Sequence, residues 1–417
     1  MSGTLAEKIL ARASGKERVE SGEYIVANID MVMAHDAMRN VYPVLDEAGI
    51  GQIWNSEKIV ILFDHNVPAP TVRAAEVYKG IREAVKRFGI KYFYGEQPGV
   101  CHQVMVEKGH VKPGYLIVGT DSHTTTYGAF GAAATGIGTT EMAYVMATGK
   151  LWFRVPETIK FNITGTLPSQ VTSKDIMLAI AGRYSASVAQ YKSVEFSGPT
   201  AKQLSLPSRM TMSNMAMEIG AKFGFFEPDD KVENYLKQRT ERPFSMIKPD
   251  EDATYEKVYE VDVSTLEPQI AVPFAVDNVK PISQIGDVKI DQALLGSCTN
   301  GRLEDLQIAA KILKGRKIHP DVRFLVLPAS VEVYRDAMKE GSLFDLSEAG
   351  AIICNPSCGA CFGAHMGLLA SGEACVASIN RNFKGRMGSP EARVYLASPA
   401  TVAVSAIEGK ITDPRNY

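Results

Sequence analysis

Three of the six cysteines have a spacing that suits metal binding. Cys358 and Cys361 form a C-x-x-C pair, and Cys298 lies far upstream in a glycine-flanked loop. Cys298 is expected between a strand and a helix, where exposed backbone N–H groups and the positive helix end would stabilise a thiolate. Three thiolates would leave one iron of a [4Fe–4S] cluster without a protein ligand. Such an open position can act as a Lewis acid on a hydroxyl and a carboxylate.

The cysteine spacing is equally compatible with a closed zinc site. His365 follows Cys361, so a Cys3His set of zinc ligands is formally possible, and an isolated C-x-x-C pair also occurs in redox sites. The spacing by itself does not separate these alternatives. The other three cysteines have apolar or structural neighbours and are interpreted as small core thiols, namely Cys101, Cys354 and Cys375.

Histidines accompanied by polar or acidic neighbours form a second group of candidates. Any one of them alone would be interpreted as a structural histidine, but two sets follow expected strands, 59–63 and 115–119. The carboxyl ends of strands form the ligand crevice of α/β sheets, so these sets should face one site. A carboxylate raises the basicity of an imidazole, which suits a proton donor to a departing hydroxyl. The group comprises His35-Asp36, Asp64-His65, Cys101-His102-Gln103 and Asp121-Ser122-His123.

A glycine-containing loop near the C-terminus carries two arginines. Arg381 and Arg386 lie within the stretch Asn380-Arg-Asn-Phe-Lys-Gly-Arg386. Arginine binds carboxylates through two parallel hydrogen bonds, which a di- or tricarboxylate substrate would need. The alternative is an ordinary basic loop in solvent.

The surrounding pattern predicts α/β architecture in three units. Short apolar runs alternate with helical periodicity, as in the expected helices 139–148 and 303–313. We place the units at residues 1–155, 156–281 and 282–417. The charged, proline-containing stretch 231–268 is expected to be irregular or peripheral.

Bulk properties exclude several classes of partner. The 417 residues have a net charge of −2, and 45% are apolar, as in a globular protein with a sizeable core. No basic patch is expected to hold nucleic acid or a membrane surface. The chain shows no secretory signal and no apolar run of the roughly 18–20 residues that span a bilayer. Clustered cysteines favour a reducing compartment, so we expect a cytoplasmic protein.

Taken together and in order, these motifs resemble the aconitase superfamily. The resemblance covers nearly the whole chain and implies three α/β domains around a central [4Fe–4S] cluster, in preference to zinc. It also implies a hydro-lyase that dehydrates and rehydrates a small hydroxy acid with two or three carboxylates. The motifs that carry it are Gly119-Thr-Asp-Ser-His-Thr124, Asn214-Met-Ala-Met-Glu218, Gly296-Ser-Cys-Thr-Asn300, Cys358-x-x-Cys361 and Asn380-Arg-Asn-Phe-x-Gly-Arg386.

The resemblance assigns a role to each matching residue. The cluster ligands would be Cys298, Cys358 and Cys361, with Asn214 and Asn300 adjacent. The acid pair would be Asp64-His65, and the hydrogen-bond network at the open iron would pair His102 with Asp121 and His123 with Glu218. The substrate would be bound by His35, Ser122, Asn380, Arg381 and Arg386.

The resemblance also implies a separate small subunit. Longer aconitases carry a fourth, swivelling domain that supplies a serine base, and no such segment is found here. The chain is therefore similar to split members of the superfamily, which act on isopropylmalate or on homocitrate. Tyr127 and Met38 depart from the expected pattern and leave the exact substrate open. A metal-stabilised binding protein, including an RNA-binding apo form, is the alternative of another class, and the balanced charge argues against RNA.

Overall fold

The computed structural model describes residues 3–96 and 98–417. The strands, in chain order, are β1 (Tyr24–Asn28), β2 (Met31–Ala34), β3 (Ile59–Leu62), β4 (Tyr92–Gly95), β5 (Leu116–Gly119), β6 (Ala133–Gly136), β7 (Lys150–Arg154), β8 (Thr158–Thr164), β9 (Ser193–Ser197), β10 (Phe223–Phe226), β11 (Lys257–Asp262), β12 (Gln269–Ala271), β13 (Val279–Pro281), β14 (Gln292–Gly296), β15 (Arg323–Leu327), β16 (Ile352–Ile353), β17 (Ala374–Ala377) and β18 (Arg393–Leu396).

Helices connect many of these strands along the chain and cover the faces of the sheets. They are α1 (Leu5–Ser14), α2 (Met38–Glu47), α3 (Val72–Phe88), α4 (Cys101–Glu107), α5 (Thr139–Thr148), α6 (Ser173–Tyr184), α7 (Pro199–Gln203), α8 (Leu206–Met215), α9 (Asp230–Lys237), α10 (Ser297–Asn300), α11 (Leu303–Leu313), α12 (Val331–Lys339), α13 (Ser342–Ala349) and α14 (Pro399–Glu408). Short 3-10 turns include Ser122–Phe130, Ala216–Ile219 and Gly359–Phe362. None of the helices in the described part of the chain is long and apolar enough to cross a membrane.

Helix ends follow local capping chemistry. The side chain of Thr71 accepts a hydrogen bond from the Ala74 backbone at the start of α3, and the left-handed Gly89 ends that helix. The expected helices 139–148 and 303–313 are confirmed as α5 and α11. Because these signals are local, sequence alone locates such helices well.

Three sheets contain mostly parallel strands, which confirms the α/β class. The first has the order β4-β3-β2-β5-β6, and the second has the order β10-β9-β8-β11. The third has the order β13-β12-β18-β17-β14-β15-β16, in which β12 pairs antiparallel with both neighbours. A fourth, two-stranded sheet joins β1 to β7 in antiparallel register. Apolar runs such as β3, β5 and β14 are fully buried, as parallel strands covered on both faces require.

The stretch 231–268, which was expected to be irregular or peripheral, contains two regular elements. Most of α9 lies there, and β11 pairs in parallel with β8 from Ile159 to Thr164. The strand was missed because its burial pattern is mostly exposed, as befits a sheet edge, and shows no apolar run. The division into units at residues 155 and 281 stays a proposal. Since β12 and β13 already pair within the third sheet, we propose that the second boundary precedes Gln269.

Candidate active site

The candidate side chains follow strands of two different sheets. His35 follows β2, Asp64 follows β3 and Asp121 closely follows β5, at the carboxyl edge of the first sheet. Cys298 and Asn380 come soon after β14 and β17 of the third sheet. Carboxyl ends of parallel strands meet at one edge, so each sheet presents its polar residues together. The two edges face each other, because the backbone N–H of Cys358 donates to the Asp64 carbonyl at 2.8 Å.

The three predicted cysteines converge on one buried pocket. Asn380 lies between two of them, since its Nδ2 is 3.3 Å from the Cys298 sulfur and its Oδ1 is 3.7 Å from the Cys361 sulfur. Cys358 packs with Cys298 against Val100 in a small apolar cluster. We name Cys298, Cys358 and Cys361 the cysteine pocket.

The spacing within the cysteine pocket suits a group larger than one ion. Ligand sulfurs around a single tetrahedral zinc lie only about 3.8 Å apart. Among the described residues, one set of three or more His, Cys, Asp or Glu ligand atoms lies within 4.8 Å of one another, and it contains none of the cysteines. His365 instead has its Nε2 3.3 Å from the Pro68 carbonyl oxygen. The arrangement therefore favours a multi-iron cluster over the Cys3His alternative.

The donors around the cysteine pocket also fit an anionic cluster. The amide of Asn214 donates to the Cys298 sulfur at 3.3 Å, and Arg386 Nη2 donates to the Cys361 sulfur at 3.7 Å. Burial raises the pKa of Cys298 and of Cys358, so two of these thiols need a cation to ionise. Burial also opposes ionisation of Cys361, but the Arg386 guanidinium holds its pKa below the usual value.

The backbone before Cys298 is strained. Gly296 has φ of +140°, and a Cβ there would lie 2.2 Å from the Leu327 carbonyl oxygen. Ser297 has φ of +65°, a left-handed conformation that costs a non-glycine residue about 1–2 kcal/mol. The turn presents Cys298 at the start of α10, and strain of this kind is typical of functional positions.

The buried Asp64 and the half-buried His65 form an ion pair. Their side chains are 2.7 Å apart, and the other carboxylate oxygen of Asp64 accepts from the Cys101 backbone at 2.8 Å. Burial alone would lower the pKa of His65, but the Asp64 carboxylate outweighs it and raises that pKa to about 9. Asp36 supports the pair by accepting from the backbone N–H groups of both residues, at 2.9 Å and 3.1 Å. His65 is therefore a positively charged proton donor at neutral pH.

His35 presents a free donor beside this pair. Its ring stacks on His65 with centroids 4.3 Å apart, and burial together with the charge of His65 lowers the pKa of His35. Its Nδ1 accepts from the Ala37 backbone at 3.3 Å, so Nε2 carries the proton. That buried Nε2 has no hydrogen-bond partner among the described residues and is 3.8 Å from Asp121. This N–H group is therefore available as a hydrogen-bond donor.

Asp121 is the centre of a second network. Its Oδ1 accepts from His102 Nε2 at 3.0 Å and from the His123 backbone at 2.7 Å. His123 Nε2 is 2.6 Å from Glu218, and Arg381 Nε is 2.8 Å from the same carboxylate oxygen. Burial opposes ionisation of Asp121 and Glu218, but their basic partners hold both pKa values below the ordinary ones. The predicted pairings of His102 with Asp121 and of His123 with Glu218 are thus present as contacts.

The remaining predicted residues are less closely joined to this network. Ser122 is half-buried beside a cavity of about 440 Å³ that Thr120 and Met217 also line. Asn300 donates from Nδ2 to Asp305 at 2.9 Å, and its Oδ1 is buried without a hydrogen bond to any described residue. The three cysteines interpreted as core thiols are buried.

Three further residues contribute to the site, and two of them, Phe362 and Lys174, were not recognised in the sequence. Tyr127, whose departure from the sequence pattern was connected with the choice of substrate, is buried with its hydroxyl 3.3 Å from His102 Nδ1. Phe362 packs edge-on against the His65 ring at 4.8 Å between centroids. Lys174 is fully buried behind Asn380. None has a local sequence signal, because each is defined by contacts between distant segments.

Comparison with known proteins agrees with this geometry. The sequence pattern of the aconitase family (aconitate hydratase) matches residues 7–409. The chain is similar to the 3-isopropylmalate dehydratase large subunit 1 of Methanopyrus kandleri, at 54% identity over 418 residues and 100% of each chain. It is 49% identical to the probable methanogen homoaconitase large subunit of Methanothermobacter thermautotrophicus, over 99% of this chain and 97% of that relative. The crystal structure of holo-form aconitase X from Thermococcus kodakaraensis shares the fold, with a TM-score of 0.53 at 12% identity over 88% of each chain. The chain therefore belongs to the aconitase family.

Proposed function

We propose that this chain is the large subunit of a 3-isopropylmalate dehydratase. The enzyme would isomerise 2-isopropylmalate and 3-isopropylmalate by dehydration and rehydration in leucine biosynthesis. Full-length relatives carrying that name support the assignment. The observation that carries it is the charged Asp64–His65 pair held against the cysteine pocket by the 2.8 Å hydrogen bond from Cys358. Removing a hydroxyl from an unactivated carbon needs a proton donor and a Lewis acid side by side.

Cys298, Cys358 and Cys361 are the residues that would hold a [4Fe–4S] cluster, which membership of the aconitase family implies. When bound, the cluster would supply an iron without a protein ligand as a Lewis acid. Amide donors from Asn214 and Asn380, both 3.3 Å from the Cys298 sulfur, would stabilise the charge of that thiolate.

His65 is the proposed acid for the departing hydroxyl. Its Nδ1 is engaged by Asp64 at 2.7 Å, which leaves Nε2 as the donating atom. The network of Asp121 with His102 and His123 would order the water that leaves or enters. His102 itself is oriented on its other side by the Tyr127 hydroxyl, which is 3.3 Å from Nδ1.

We assign the substrate carboxylates to five residues. His35 contributes its free Nε2–H, and Arg386 keeps a buried Nε without a hydrogen bond to any residue the structure describes. The full proposed set is His35, Ser122, Asn380, Arg381 and Arg386. A fork of N–H groups fixes the plane of a carboxylate as well as neutralising its charge.

Replacing Arg381 by lysine is expected to lower turnover without disturbing the fold. Lysine keeps the charge but loses the planar guanidinium, whose Nε lies 2.8 Å from Glu218 and whose other N–H groups would bind the substrate. A misplaced substrate loses alignment with the acid, so kcat/KM should fall about 10–100-fold. Steady-state kinetics with the small subunit present would measure this. The control is Arg393→Lys, an exposed arginine at the start of β18. If Arg381→Lys kept the kcat and KM of the parent enzyme, as Arg393→Lys should, the placement of the substrate would be contradicted.

A separate small subunit is proposed to complete the catalyst. We assign no residue of this chain as the base that removes the carbon-bound proton. The isolated chain, loaded with cluster, should therefore show negligible dehydratase activity until a small subunit is added. Robust turnover by the chain alone would refute this proposal.

The same reconstituted enzyme tests the substrate. Anaerobic assays on isopropylmalate, homocitrate and citrate should show the highest kcat/KM on isopropylmalate. Homoaconitase is the second candidate, because one similar relative at 49% identity carries that name. Preference for homocitrate would favour it.

All six cysteines are free, as suits the reducing cytoplasm in which we propose that the chain acts.

A further inference from the structure

Lys174 lies at the junction between the second and third sheets. It stands in the first turn of α6 and is 0% exposed. Its Nζ donates to the backbone carbonyl of Ser378 at 3.1 Å and to that of Ile379. These two carbonyls immediately precede Asn380 and Arg381.

The stability of the fold does not account for a lysine at this position. A buried ammonium is costly unless an anion balances it, and the positive end of a helix adds repulsion. Among the described residues, the hydrogen-bond acceptors of the Lys174 ammonium are two uncharged carbonyl oxygens, and it forms no ion pair there. Its neighbour Asp175 is already occupied, because it accepts from the Thr172 backbone at 2.8 Å and from the Gln269 backbone at 2.9 Å. An apolar side chain of similar length would avoid the cost of the buried charge, but it would leave the Ser378 and Ile379 carbonyls without this donor.

The groups that favour the charge of Lys174 are those of the active site. Burial lowers the pKa of Lys174 to about 7, and the strongest opposing influences are Cys361, Cys298 and Glu218. The same three groups are contacted by the segment that Lys174 holds. Asn380 bonds to the sulfurs of both cysteines, and Arg381 bonds to Glu218.

We propose that Lys174 is a positioning residue that fixes the Asn380–Arg381 segment from behind and balances the negative charge of the cysteine pocket. The two carbonyl hydrogen bonds set where Asn380 meets the sulfurs and where Arg381 meets Glu218. The positive charge offsets the thiolates without occupying a ligand position. The charge-balancing role rests on the proposed cluster, whereas the positioning role concerns the polypeptide alone.

The test compares Lys174→Met with Lys112→Met. Lys112 is the matched control, because it is also buried, at 2% exposure, and its Nζ donates to a carbonyl, that of Arg242 at 3.2 Å. Hydrogen exchange of the cluster-free protein is measured first. Amides over 380–382 should exchange roughly tenfold faster in Lys174→Met, because the segment opens more often. The control should leave them unchanged.

Measurements on the cluster-loaded enzyme follow. In Lys174→Met the midpoint potential of the cluster should become more negative, because a nearby positive charge is lost. With the small subunit present, kcat/KM should fall about 10–100-fold. The melting temperature of the cluster-free protein should change little, because the removed cost of a buried charge offsets the two lost carbonyl hydrogen bonds. Lys174→Gln keeps an amide donor without the charge, so it should restore slow exchange but not the parent potential.

Parent-like exchange over 380–382 in Lys174→Met would overturn the positioning role. A parent-like potential and kcat/KM within about twofold of the parent would overturn the charge role. A lower melting temperature as the sole change would assign Lys174 to the fold alone. If the parent chain takes up no cluster, the proposed function fails, and the exchange result still decides the positioning role.

Discussion

Serine in place of Cys358 is expected to abolish cluster binding and reduce dehydratase activity to background. The cysteine pocket has three candidate ligands, so losing one leaves two thiolates for a four-iron cluster. Serine is a far poorer ligand, since its hydroxyl does not ionise at neutral pH. Iron and acid-labile sulfide after anaerobic reconstitution would measure the loss, and Cys298→Ser and Cys361→Ser should behave alike.

Cys375→Ser is the matched control for these variants. Cys375 is also buried, but it lies within β17 in the apolar core and outside the cysteine pocket. The variant should retain the parent content of iron and sulfide. Full cluster content in Cys358→Ser would rule out the ligand assignment, and loss of cluster in Cys375→Ser would show that serine acts through the fold.

Replacing His65 by asparagine is expected to lower kcat by about 10²–10⁴-fold, the usual contribution of a general acid. Iron content should remain at the parent level, because His65 is not one of the proposed ligands. Asparagine preserves a hydrogen-bond donor near Asp64 but has no proton to give to the hydroxyl. Kinetics of reconstituted His65→Asn, with metal analysis of the same sample, would measure both quantities. Parent-like kcat would remove His65 from the mechanism.

The pH profile gives an independent check on the same group. The pKa of His65 is raised from about 6.5 to about 9, so its charged form predominates at neutral pH and is lost as pH rises through about 9. Activity should therefore fall along an alkaline limb near that pH. The stability from the ion pair is likewise fully present below about 6.5 and lost as pH rises through about 9. In Asp64→Asn the limb should move to lower pH. A limb unmoved in this variant would contradict the assignment.

Much of this protein could be predicted from local sequence. Cys298 follows a buried strand and opens a helix, and the apolar run before Asp64-His65 is a strand as expected. Apolar runs, caps and glycines act over a few residues, so their consequences can be identified without the fold. The α/β class and the residue types of the site follow from them. The edge strand β11 escaped prediction because partial exposure removed the apolar run that identifies strands.

Apart from the family resemblance, which paired His123 with Glu218, only the tertiary structure decided which of these residues meet. The contact of His123 with Glu218, at 2.6 Å, joins residues that are 95 positions apart, and that of Asn380 with Cys298, at 3.3 Å, joins residues 82 apart. The burial and charge of Lys174 could not be anticipated either, since they depend on where β17 ends relative to α6. Spacing along the chain carries no information about such pairs. They form because sheets with buried faces must pack against each other, and that packing brings the polar strand ends together.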